Sequence, residues 1–198
     1  MKRTAAVGEL IVDAWRGSGR PSADDVVAAL LLHDLGNIVK FNFSGGDLWE
    51  GFSREEILGW RSVRDDVAAA YSSSDDHVVT NAMVRDIGAP AKVGFLVENM
   101  LLEKMPQILS SGDVALKVLA YSDQRVSPGG VVRIGERFMD LRRRYRGRQP
   151  GRFGAEDERM ALELEAQIMR MTDLTPGQLD DAAVLPYIGR YGTVRFSR

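Results

Sequence analysis

The apolar positions of this chain recur every three to four residues almost from end to end, the period of helices that pack by one face. Val7, Leu10, Ile11 and Trp15 form such a stripe over residues 3–16, and Gly17-Ser18-Gly19-Arg20-Pro21 breaks it. Ser22, with Asp25 three residues on, has the pattern of a capping box. Val26, Val27, Leu30 and Leu31 then make a buried face that leads into His33, with Gly36 as the expected stop. Residues 41–53 are rich in aromatics and glycine and read as a connection. Ser53 with Glu56 starts a helix expected to reach about Tyr71, and Ser72-Ser73-Ser74 turns the chain. Asp75 or Asp76 caps a helix ending near Gly88.

Pro90 opens a segment with Val93, Leu96, Val97, Met100 and Leu101 on one face. Gly112-Asp113 precedes a helix through Val114, Val118 and Tyr121 to Asp123, and Ser127-Pro128-Gly129-Gly130 is a turn. Residues 132–146 predict an amphipathic, arginine-rich helix, and 155–171 another beyond a hinge at 148–152. Thr175-Pro176-Gly177-Gln178 has the cap, first-turn proline and glutamine of a helix start. The tail alternates at Val194 and Phe196 but is too short for a sheet. The fold class is therefore all-α: a helical domain over 1–147 and a helical extension over 148–198 that packs on the domain or on a partner.

Composition narrows the chemistry. With 198 residues, 44% apolar and 27% charged, the chain can bury a core. A net charge of −2 gives no global pull toward nucleic acid or anionic membrane. Cysteine is absent, so thiol catalysis, disulfides and cysteine-bound zinc are excluded, and any metal must be held by nitrogen and oxygen. No apolar run approaches the roughly 20 residues of a membrane span. The first residues lack the apolar core of a secretory signal, so a cytoplasmic protein is expected. The dense basic run is Leu141-Arg142-Arg143-Arg144-Tyr145-Arg146-Gly147-Arg148; the acidic residues of the next helix can pair with it, and nucleic-acid binding is not the reading we favour. Met160, Met169 and Met171 read as core or interface filling, with a homodimer contact as one use.

The chain has two histidines, and one of them, in Leu32-His33-Asp34-Leu35-Gly36-Asn37, sits beside a carboxylate where an apolar helix face ends. The pair reads either as a capped helix end or as two ligands for a divalent cation. Asp76-His77 at one helix start and Asp123 at the end of another, in Tyr121-Ser122-Asp123-Gln124-Arg125-Val126-Ser127-Pro128-Gly129-Gly130, extend the set. In this order the segments resemble the HD-domain superfamily of metal-dependent phosphohydrolases, and most nearly a bacterial branch of small HD proteins. The likeness covers about residues 1–147.

The resemblance implies that His33, Asp34 and Asp123 ligate a divalent metal (Mn, Mg, Fe, Co, Ni or Zn), with Asp34 also taking part in catalysis. It implies an HD-like bundle and hydrolysis of a small phosphorylated substrate, such as a nucleotide. The first histidine of the family pattern does not carry over. It would stand just before Arg3–Val7, where this chain starts, and a start further upstream is the reading we prefer to a lost ligand. Asn37 stands where many active relatives carry Lys or Glu, and an amide is no general base at neutral pH. A worn scaffold that binds a ligand without turnover is the alternative. Lys40, Arg125 and His77 are the candidate cations for phosphoryl oxygens, with Asn37 as a further substrate contact. Asp76 is placed to orient His77 or to accept a proton. Arg125 has a second reading, holding the Asp123 carboxylate. Phe41, Phe43, Trp49 and Phe52 either wall a pocket or pack the connection onto the body.

Overall fold

A computed structural model describes residues 1–16, 18–43, 51–146 and 152–191. Ten α-helices carry the described residues: α1 Lys2–Asp13, α2 Ala23–Leu32, α3 Arg54–Ala70, α4 Asp76–Asp86, α5 Ala91–Asn99, α6 Met105–Ser110, α7 Val114–Gln124, α8 Ile134–Arg144, α9 Ala155–Arg170 and α10 Asp181–Ile188. The all-α class holds. The one sheet among these residues is a hairpin in which β1, Val126–Ser127, pairs antiparallel with β2, Gly130–Val131. Trp49, the 148–151 part of the hinge, and Val194 and Phe196 of the tail lie outside the described residues.

Local chemistry sets most helix starts. Ser22 Oγ accepts from the Asp25 amide at 3.2 Å and opens α2. Ser53 and Glu56 complete a reciprocal capping box on α3. Asp75, not Asp76, caps α4, accepting from the amides of His77 and Val78 at 2.9 and 3.0 Å. Asp113 caps α7 through the Leu116 amide. Three boundaries differ from the expectation. α5 stops at Asn99, and Met100 and Leu101 lead through a 3-10 turn into the short α6, whose Met105 and Ile108 are fully buried. Thr175–Gln178 caps only a 3-10 turn, and α10 starts at Asp180's cap. α2 ends at Leu32, before Gly36.

α7 is the central element. Ala115, Leu116, Val118, Leu119, Ala120 and Tyr121 are all buried, so several faces are covered. α1, α2 and α9 pack on it, and Ile11 and Val12 of α1, Leu30 of α2, and Ala161, Leu164 and Ile168 of α9 are buried in the shared core. α10 lies along α1, with Val184 buried. α3 buries no residue completely and leaves Leu58, Trp60 and Val63 exposed.

Gly36 belongs to a 3-10 turn, Leu35–Lys40, that lies against α4. Its amide donates to Thr80 Oγ1 at 2.9 Å. A Cβ there would stand 2.4 Å from the Asp76 carbonyl oxygen and 2.6 Å from the Thr80 amide nitrogen, both backbone atoms. Gly36→Ala is therefore expected to cost about 1–3 kcal/mol through overpacking, which a thermal melt reads as a fall of roughly 5 °C. An unchanged melting temperature would show that the turn is not pinned to α4.

Candidate functional site

His33 is the cap residue just past the end of α2, the residue after it is Asp34, and the last turn of α7 delivers Asp123. These three side chains, 90 residues apart at the extremes, meet. His33 Nε2 is 3.4 Å from Asp34 Oδ2 and 3.3 Å from Asp123 Oδ1. His33 Nδ1 lies 2.8 Å from the Leu30 carbonyl oxygen, an acceptor only, so the proton is assigned to Nδ1 and the Nε2 lone pair faces the two carboxylates. Nε2 is buried and has no well-formed hydrogen bond.

A lone pair facing two anionic oxygens is repulsive, and the triangle calls for a positive charge. A proton supplies one. Burial disfavours the imidazolium, but Asp123, Asp34 and the Leu30 carbonyl outweigh burial and raise the His33 pKa above its ordinary value. Burial works against the Asp123 anion too, and the charges of His33, Arg137 and the Met1 amino group outweigh it, so its pKa is lowered. The carboxylates of Asp34 and Asp123 stay 42% and 44% exposed, open to whatever enters the space in front of them.

That space is a cavity of about 200 Å³. His33, Asp34, Asp123, His77 and Lys40 line it together with Met100, Leu101, Leu141, Tyr145 and Phe153. Tyr145 and Phe153 pack ring on ring, with centroids 5.2 Å apart. Phe153 is buried although its φ is +60°, a conformation rare for a bulky side chain.

The other candidates divide. His77, in the first turn of α4, lines the cavity. Asp76 does not line it; its carboxylate takes the Lys40 ammonium at 2.6 Å, so much of the charge expected to meet substrate is already matched. Asn37 is not among the lining residues, and its Oδ1 is buried without a partner. Phe41, Phe43 and Phe52 do not line the cavity. Phe41 and Phe43 stack edge to face, the Arg64 guanidinium of α3 lies over Phe43, and Phe41 and Phe52 are half-exposed. The aromatic wall comes instead from the end of α8 and the segment before α9.

Arg125 is a correction. It is 1% exposed and its fork is fully engaged inside the protein, so it has nothing left for a substrate phosphate. Nε donates to the Val132 carbonyl at 2.6 Å, Nη1 to Tyr121 Oη at 2.6 Å, and Nη2 to the carbonyls of Pro176 and Leu179 at 3.0 and 2.8 Å. Its carboxylate partner is Glu165 at 3.4 Å, not Asp123.

Arg137 was not among the expected site residues. It lines the cavity from α8 and acts on Asp123 through its charge. The signal was present in the spacing: Arg137 lies three residues after Ile134 and four before Leu141, on the apolar stripe of the helix. The denser basic run beyond it is spent elsewhere. Arg142 pairs with Glu158 of α9 at 2.7 Å, and Arg143 and Arg144 pair with Asp140 on their own helix.

As a metal centre, the set fits in donor type and in tautomer but not in number. Nδ1 is anchored on a carbonyl, the arrangement that aims the opposite imidazole nitrogen at a cation. Among the described residues no three His, Asp or Glu side chains stand as a finished ligand group. No helix among them is long and apolar enough to cross a membrane. Comparison with protein-family models, with curated proteins and with solved structures finds no match to this chain.

Proposed function

We propose that this protein is a metal-dependent phosphohydrolase acting on a small phosphoester, with His33, Asp34 and Asp123 as protein ligands of a divalent ion and HD-domain kinship as the family reading. The carrying observation is the buried Nε2 of His33, without a hydrogen-bond partner, held 3.4 and 3.3 Å from two carboxylates at the wall of a cavity. Mn, Mg, Fe, Co, Ni and Zn all suit such nitrogen and oxygen donors. A bound ion would polarise a phosphoryl oxygen and make water a better nucleophile. The residues' own work is then to orient and to balance charge. The Leu30 carbonyl fixes the His33 ring, Asp34 and Asp123 offer carboxylate oxygens to the cavity, and His77, which lines the same cavity, is the candidate proton carrier.

The alternative is a ligand-binding or regulatory protein on the same scaffold, favoured by the amide of Asn37 and by the unfinished ligand set. The two separate on purified protein assayed for metal content and then against a panel of phosphomonoesters and nucleotides. Bound divalent metal with turnover supports the hydrolase; ligand binding without turnover at any added metal supports the alternative. A cytoplasmic location, a homodimer and the absence of nucleic-acid binding belong to the same reading.

A further inference from the structure

We propose that Arg137 is the phosphate-gripping residue of the cavity and that the Tyr145–Phe153 wall receives an aromatic or apolar group attached to that phosphate. This inference names the substrate class of the proposed hydrolase site and so rests on that reading. Three full cations line the cavity, and two already have a close carboxylate: Lys40 has Asp76, and Arg152 has Glu103. Arg137 has only a long one: its Nη1 is 3.7 Å from Asp140 Oδ2, an ion pair beyond hydrogen-bond range, and Asp140 also serves Arg143 and Arg144.

Nε and Nη1 of Arg137 are buried without a hydrogen-bond partner, and its side chain is only 14% exposed. Buried donors left unmet destabilise a protein, so such a group points to a ligand that meets them. A guanidinium fork matches the tetrahedral oxygens of phosphate better than any other side chain. The position is right as well. Arg137 shares the cavity with His33, Asp34 and Asp123, so a phosphate on its fork lies beside the candidate metal ligands. Leu141, Tyr145 and Phe153 line the same cavity, and the two rings, tilted 39° to one another, give a flat or apolar substituent a surface to cover.

The test uses the full-length protein with a chelator present, so that it does not depend on metal. Binding of inorganic phosphate and of phenyl phosphate is measured by calorimetry for wild type, Arg137→Met, Arg137→Lys and Tyr145→Ala, and each protein's melting temperature is recorded without phosphate. Wild type is expected to bind both, phenyl phosphate more tightly. Arg137→Met is expected to lose at least tenfold in both affinities, and Arg137→Lys, which keeps charge without the fork, to fall between. Tyr145→Ala is expected to lose only the preference for phenyl phosphate. Arg137→Met should melt at or above the wild-type temperature, because it removes unmet buried donors; a structural arginine would instead lower it. Equal phosphate affinity in wild type and Arg137→Met, or no phosphate binding by a folded wild type, overturns the proposal. If phosphate binding follows Arg137 but no phosphoester is turned over with any metal, the anion site stands and the hydrolase reading falls. If turnover occurs with KM unchanged in Arg137→Met, the hydrolase stands and the role of Arg137 falls.

Discussion

On the proposed hydrolase reading, Asp123→Asn is expected to remove divalent metal from the purified protein and to reduce phosphoester turnover at least a hundredfold, and Asp34→Asn to do the same. Loss of a residue that merely orients a metal ligand costs about 10–100-fold in affinity or activity, so loss of a ligand itself should exceed that. The amide is nearly isosteric with the carboxylate, and the two carboxylates are more than two-fifths exposed, so the fold should survive. His33 Nε2 would then face one anion instead of two, which weakens the attraction for a cation at that point. Metal content by elemental analysis, paired with turnover, reads the result. Variants that keep full metal content and full turnover would remove these carboxylates from the site and leave the cavity without a catalytic reading.

The second large effect concerns stability. Arg125→Ala is expected to destabilise by about 3–5 kcal/mol, the usual consequence of removing one member of a buried charged network. The carbonyls of Val132, Pro176 and Leu179 lose their donor, and Glu165 keeps only the Tyr121 hydroxyl at 2.6 Å. At roughly 2–4 °C per kcal/mol for a chain of this size, the melting temperature should fall by roughly 10 °C. Arg125→Lys should restore little of this, since an ammonium cannot reach acceptors on three sides as a planar fork does. Because Pro176 and Leu179 stand between α9 and α10, the segment carrying α10 should loosen first, and hydrogen exchange should accelerate there before it does in α7. A melting temperature within 2 °C of wild type would mean that the network contributes little.

Most of the helical frame was legible because its causes are local. An apolar residue every three to four positions, with Ser, Asp or Ser–Glu at the start, is visible in the chain without its neighbours, and α2, α3, α4 and α7 begin where such caps stand. The misplaced boundaries have non-local causes. α6 is six residues long, too short for a period to declare itself, and is held by burial of Met105 and Ile108. Gly36 looked like a helix stop; its actual constraint is the backbone of α4, 44 residues away at Thr80. Among the candidate site residues, His33, Asp34 and Asp123 were readable as an ordered set, and the structure brings them to one point. Arg125 was not readable, because an arginine two residues past a site aspartate looks the same whether it turns outward to a ligand or inward to carbonyls near residue 176.

The chain alone determined what repeats along it: helices, their amphipathic faces and most of their caps, and the restriction of any metal chemistry to nitrogen and oxygen donors. Those properties follow from side chains acting on their own turn of backbone. Tertiary structure decided which charges are already matched. It gave Lys40 to Asp76 and Arg125 to Glu165, left Nε and Nη1 of Arg137 without a hydrogen bond, and set two carboxylates against one imidazole nitrogen. The physical reason is that the strength of a charge in a protein depends on its burial and its nearest partner, and packing between distant elements sets both.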